Sequence, residues 1–238
     1  VTLMPLRFSN RGSDSPWVDT VWTCTSERVT EMTSVAGVNW GLVFWRLDGR
    51  AYAAVTGPGT GSGVAPVPEG AGFVGIEFAV GTSLRVLPPP ALVNGGLELP
   101  ATTHRSFELD GTSWETPGPD DAEALVARLV RSGAVLRDPL VTEVHRGGRP
   151  EVSARTVERR FRAATGLARG TVRQIERART AATLLAAGTE VTDVVTKLDY
   201  FDEPHLARAL RRFVGRTARQ LRAGTGGAIA LDLAQRTS

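Results

Sequence analysis

Residues 152–222 constrain the chain more than any other stretch, because their apolar residues recur at helical spacing in segments closed by glycine. Ser153 suits the N-cap of a helix over about 153–164, and Gly166 suits its stop. Val157, Phe161 and Ala164 recur at i, i+4 and i+7 and face inward, which turns Arg155, Glu158, Arg159 and Arg162 outward. A longer helix over roughly 171–187 buries Val172, Ile175, Ala182 and Leu185 and ends at Gly188. Val191, Val194, Val195 and Leu198 then give a short helix, and Tyr200-Phe201-Asp202 a turn. Pro204 opens a last helix bearing Leu206, Leu210 and Phe213. The spacing predicts two helix-turn-helix pairs joined by one longer helix.

The preceding half reads differently. Residues 38–57 hold two apolar runs broken at Asp48-Gly49, and 106–114 turn again at Asp110-Gly111, both signals of a tight hairpin. Residues 72–81 form another short strand, while the Gly- and Pro-rich segment between 56 and 72 reads as a loop. The prolines at 88–90 end strand pairing. Several short strands over residues 4–116 predict a β-sandwich or barrel. Trp17, Trp22, Trp40, Trp45 and Trp114 all lie here. Core packing accounts for any single one of them; Trp22, Trp40 and Trp45 are also candidates for an aromatic effector pocket. Glu77 stands between Ile76 and Phe78, so alternation sends its side chain to the opposite face, toward solvent or a polar-lined cavity. From 117 the period becomes helical, with short helices over about 120–133 and 139–146, the second ending at Gly147-Gly148.

Charge divides along the same line. Residues 1–138 carry 10 Arg against 15 Asp and Glu, net −5, and residues 139–238 carry 18 Lys and Arg against 10, net +8. That asymmetry points to a polyanion partner for the basic part alone, or to a solvated surface without one. Two helix-turn-helix pairs, each with an arginine-bearing second helix, can set two helices in successive major grooves of double-stranded DNA. A connecting helix of about 17 residues is roughly 25 Å long, and successive grooves on one DNA face lie about 34 Å apart. No apolar run reaches the length of a membrane span and no charged-then-apolar leader opens the chain, so a soluble cytoplasmic protein is expected. Cys24 is the only cysteine, which fits a reducing compartment. His104, His145 and His205 are too widely spaced for a local metal cluster, and no nucleophile–base arrangement appears. No metal, cofactor or catalytic residue is expected.

Residues 153–167 (SARTVERRFRAATGL), 181–185 (AATLL) and 200–217 (YFDEPHLARALRRFVGRT) resemble the DNA-binding domain of the AraC/XylS family at fixed spacing over about 70 residues. The resemblance implies base contacts from the exposed faces of the two recognition helices: Arg155, Glu158 and Arg159 on the first, Glu203, His205 and Arg208 on the second. Arg162, Arg173, Arg211 and Arg212 are assigned to phosphate. For Glu158 and Arg162 an i, i+4 ion pair on a solvated face is the alternative; for His205 it is a hydrogen bond that positions the helix. Asp199 stands where the family has a turn glycine, Leu206 and Leu210 where it has phenylalanine, and Ala218 where it has proline. Gly147, Gly148 and Pro150 interrupt a helix that is continuous in the family, which predicts a shortened first unit.

The first half resembles, by strand pattern and domain order, the cupin-like or jelly-roll sensor domains that precede this module. The expected fold class is α+β, with a β-rich sensor or regulatory domain over 1–118, a DNA-binding domain over 119–224 and a frayed tail over 225–238. The expected function is a bacterial, sequence-specific transcription regulator controlled through its β-domain. A cupin-like enzyme domain fused to a DNA reader, or an architectural DNA-binding protein, is the alternative. Beside DNA, the candidate partners are a small-molecule effector, a second copy of the chain and RNA polymerase.

Overall fold

A computed structural model describes residues 6–27 and 31–231; the outermost residues of the expected sensor domain and of the tail lie outside that range. The chain is α+β, with β-sheets first and helices after. It opens with β1 (Leu6–Gly12), β2 (Val18–Ser26), β3 (Glu31–Ser34), β4 (Gly41–Leu47), β5 (Arg50–Thr56), β6 (Gly63–Pro66) and β7 (Gly72–Phe78). β8 (Thr82–Leu84), β9 (Gly96–Glu98), β10 (Ser106–Leu109) and β11 (Thr112–Glu115) follow. Both hairpins turn where the Asp-Gly pairs predict. Asp48 and Gly49 sit at φ 48° and 72°, and Asp110 and Gly111 at 55° and 66°, the doubly left-handed turn that matches strand twist.

Six strands form one sheet in the order β1-β2-β7-β4-β5-β9. Its rear face buries Val21, Leu42, Val55, Ile76 and Phe78. Over that face packs α1 (Ala122–Arg131), through Leu125, Val126 and Leu129, and β12 (Val135–Arg137) pairs with β8. Arg11 of β1 reaches α1, donating to Glu123 at 2.8 Å and to the Pro119 carbonyl at 2.9 Å. α1 thus completes the core of the six-stranded sheet.

The helical body runs through α2 (Pro139–His145), α3 (Ala154–Thr165), α4 (Arg169–Ala186), α5 (Val191–Lys197), α6 (Glu203–Phe213) and α7 (Ala218–Ala223). Phe161, Ile175, Leu185, Leu206 and Leu210 join one core, which also takes in Ala36, Val38 and Val80 from the β-rich body. Two sequence expectations need correction. The Gly- and Pro-rich segment before β7 contains β6, which pairs with β3; backbone pairing asks for no apolar alternation, so the pattern gave no sign of it. The tail does not fray where it is described. Its Ile229 and Ala230 form β13, parallel to β3, with Thr33 N–H donating to the Ala228 carbonyl at 2.9 Å. Arg216, nearly buried, holds the same Ala228 carbonyl from the helical side. The helical body is thus tied to the β-rich body at its C-terminal end.

Candidate nucleic-acid interface and ligand cleft

α3 begins as its sequence predicts. Ser153 Oγ accepts from Thr156 N–H at 3.2 Å, and Gly166 ends the helix in the left-handed region at φ 75°. Val157 and Phe161 are buried and Ala164 half-buried, whereas Arg155, Arg159 and Arg162 are exposed. Glu158, half-buried, lies 3.6 Å from Arg162, so the i, i+4 pair forms. Arg173 on α4 is exposed.

α6 is built with a tighter turn before it. Asp199 takes φ 53°, in the left-handed region that favours glycine, and Arg177 donates to its carbonyl at 3.2 Å. Asp202 caps the helix by accepting from His205 N–H at 2.6 Å, and Pro204 stands in the first turn. Glu203, Arg208, Arg211 and Arg212 are exposed. His205 is half-buried; its ring stands edge-on to Tyr200 at 5.2 Å, and Nδ1 accepts from Phe201 N–H at 3.4 Å. Its ring is thereby engaged with the turn.

The end of α6 is capped from outside its own domain. Helix ends leave carbonyls without intrahelical partners. Here Ser62 N–H donates to the Arg212 carbonyl and Ala36 N–H to the Phe213 carbonyl, each at 2.8 Å. Gly215 turns the chain at φ 71°, and a Cβ there would lie 3.0 Å from Ser62 Oγ and from Thr33 Cγ2.

A cleft of 1060 Å³ lies where the six-stranded and three-stranded sheets face each other. Trp22, Trp40 and Glu77 line it; Trp45 does not. Trp45 is on the same sheet but stacks on Tyr52 at 5.2 Å and on Phe73 at 6.3 Å. Trp40 is mainly a core residue, stacked on Phe78 at 3.8 Å with Nε1 donating to the Thr82 carbonyl at 2.9 Å. Trp22 lies flat across the sheet because its neighbour is Gly75, where a Cβ would meet the indole at 2.0 Å. Residues of the helical body close the cleft, among them His145, Glu176 and Arg179. Burial lifts the Glu176 carboxyl above its usual pKa; His145, 3.6 Å away, opposes that shift and Asp19 adds to it. Among the described residues, no three of His, Cys, Asp and Glu cluster as metal ligands. No helix among them is long and apolar enough to cross a membrane.

Two features escaped the sequence reading. The contributions of α2 and α4 to the cleft had no local signal, since they depend on how the two bodies meet. Phe201 is 89% exposed immediately before α6, next to a buried Tyr200. Adjacent aromatics at a turn cannot both face the core, and that was legible.

Residues 149–224 match the family model of a helix-turn-helix domain. The match begins beyond α2 and ends with α7. No curated protein and no solved structure matches the chain.

Proposed function

We propose that the chain, whose residues 149–224 match the family model of a helix-turn-helix domain, is a DNA-binding transcriptional regulator of the AraC type that reads a specific sequence with α3 and α6 in successive major grooves. The observation that carries this is shared by both helices. Each has a side-chain cap at its start, a rear face locked into one core, and exposed arginine at its front. In a helix entering the major groove, the N-terminal residues meet base edges. Arg155, Glu158 and Arg159 of α3, with Glu203 and Arg208 of α6, are the base-reading set. Arg162, Arg173, Arg211 and Arg212 meet phosphate. His205 holds the turn that presents α6, which its engaged ring supports. Phe201 adds an apolar contact of the kind that recognises a thymine methyl.

The DNA reader spans about 139–224, and the sensor comprises the sheets with α1, β12 and β13. What supports this division is the core that α1 shares with the sheet and the pairing of β12 with β8 and of β13 with β3. An effector bound between the sheets controls the reader, with Trp22, Trp40 and Glu77 in the wall of its site.

Selection of bound DNA from a random library by the full chain tests the reading. The expected product is a site with two conserved elements about 10 base pairs apart. Its affinity should exceed that for random DNA by about a thousandfold or more at one salt concentration. A single conserved element overturns the two-groove reading, and equal affinity for all sequences makes the chain an architectural binder.

A further inference from the structure

The cleft between the sheets is closed by the DNA reader, and its lining has a definite chemistry. At 1060 Å³ it stands just above the usual range for small-molecule sites, about 300–1,000 Å³. Its walls carry three carboxylates, Asp19 and Glu77 from the large sheet and Glu176 from α4, against the guanidinium of Arg179 and the imidazole of His145, which lies 3.6 Å from Glu176. That guanidinium is engaged, donating to the Ala36 carbonyl at 3.1 Å. Beside the carboxylates lies an aromatic face. Trp22, held flat by Gly75 and stacked on Phe8 at 5.6 Å, is half-buried, so part of its ring remains open to a guest. Carboxylates next to an indole face favour an ammonium group: the charges attract it and the negative ring face adds to the attraction. Glu176 is the desolvated member of the set, so solvent screens its charge less than that of the exposed Asp19, and Asp19 is near enough to raise its pKa further.

The same cleft touches the cap of α6. Ser62 and its neighbours Gly61 and Gly63 line it, and Ser62 N–H holds the Arg212 carbonyl at 2.8 Å. Arg179 lines it too, and grips Ala36, whose N–H holds the Phe213 carbonyl. A guest pressing on Ser62 or competing for Arg179 therefore acts on the last turn of the second base-reading helix.

We propose that the cleft binds a hydrophobic organic cation between Glu176, Asp19 and the Trp22 face, and that its occupancy is transmitted to α6 through Ser62 and Ala36. This rests on the reading of the chain as a ligand-controlled regulator. The test titrates the full chain with tetraphenylphosphonium and, separately, with tetraphenylborate, which has the same shape and the opposite charge. Tryptophan fluorescence and calorimetry follow binding. The cation should bind saturably and about tenfold or more tighter than the anion. Glu176→Gln should weaken the cation about tenfold, and Asp19→Asn, at the exposed lip, about threefold. Cation binding should also change the affinity of the wild-type chain for its selected DNA site by about threefold or more.

Equal or tighter binding of the anion overturns the proposal, as does cation binding that neither substitution changes. Cation binding with no change in DNA affinity overturns the transmission through α6. Should Glu176→Gln not fold, Asp19→Asn and the comparison of the two ions still decide. Selection of DNA without any probe keeps the two readings apart. A chain that selects a site yet ignores the cation loses only the cleft proposal, and a chain that selects no sequence loses the regulator reading itself.

Discussion

The two helix-turn-helix units solve the same problem with different amounts of chain. Between α5 and α6 lie the five residues 198–202, three of which fix the turn. Asp199 makes the left-handed step, Tyr200 fills the core and Asp202 caps the next helix. Between α2 and α3 lie the eight residues 146–153, including Gly147 at φ 92°, Gly148 and Pro150. The first unit makes up for this looser joint by tertiary contacts. Arg160 of α3 pairs with Asp138, the residue that caps α2, at 2.8 Å. Gly166 at the end of α3 packs on the Pro89 carbonyl and Val93 of the β-rich body. The second unit is fixed locally at its start and from the β-rich body only at its end. A short turn can thus be specified by its own residues, whereas a long one needs partners from elsewhere in the fold.

The largest expected effect falls on the first unit. Phe161 is fully buried where α3 joins the shared core, so Phe161→Ala should cost about 3–5 kcal/mol. Thermal or urea unfolding of the purified variant measures this. Unchanged stability would mean that α3 is not held by its rear face, and tertiary contacts would no longer account for the looser joint.

Base reading should then separate the units. Arg208→Ala should cost about 1–3 kcal/mol on the selected site and relax preference at one base position. Arg212 lies a turn further along α6, with its guanidinium over the Phe213 ring at 4.9 Å. Its replacement by alanine should weaken all sequences alike and make the salt slope shallower by about one. Affinities for the site, its single-base variants and random DNA across a salt series provide the measurement. Equal losses on specific and random DNA for Arg208→Ala would move base reading to α3.

Removing each N-cap sharpens the contrast further. Asp202→Ala and Ser153→Ala should each cost about 1 kcal/mol of stability. Asp202→Ala should also weaken DNA binding more than Ser153→Ala, because the turn before α6 has fewer contacts to replace it. Equal losses in DNA affinity would show that the two starts are held equally well.

The smallest effect concerns the boundary between the two bodies. The hydrogen bonds from Arg11 hold the Glu123 carboxyl down to about 2, with Ser13 adding to the shift. A depressed carboxylate contributes stability above its unfolded pKa, about 4.3, and loses it as pH falls through the folded value. Both partners are partly exposed, so the contribution should be about 1 kcal/mol or less. The melting temperature of Glu123→Gln should therefore lie slightly below wild type at pH 7 and converge with it toward pH 2. A constant gap across that range would detach Arg11 from α1 and count against the proposed boundary after β12.

Local patterns determined much of this protein. The apolar spacing of 153–164 set α3 to within a residue, the Asp-Gly pairs set both hairpins, and alternation turned Glu77 away from the buried Ile76 and Phe78. The arginines on α3 and α6 were legible as outward-facing because helical phase alone decides which side a residue takes. Burial of α1 under the sheet, the pairing of β13 with β3 and the closing of the cleft by His145, Glu176 and Arg179 were decided only by the tertiary structure. The same holds for the capping of α6 by Ser62 and Ala36. Each joins residues far apart in the chain, through backbone groups, apolar faces or single polar side chains that carry no pattern naming their partner. A side chain's face follows from its neighbours in sequence, but what lies against that face follows from the packing of the whole chain.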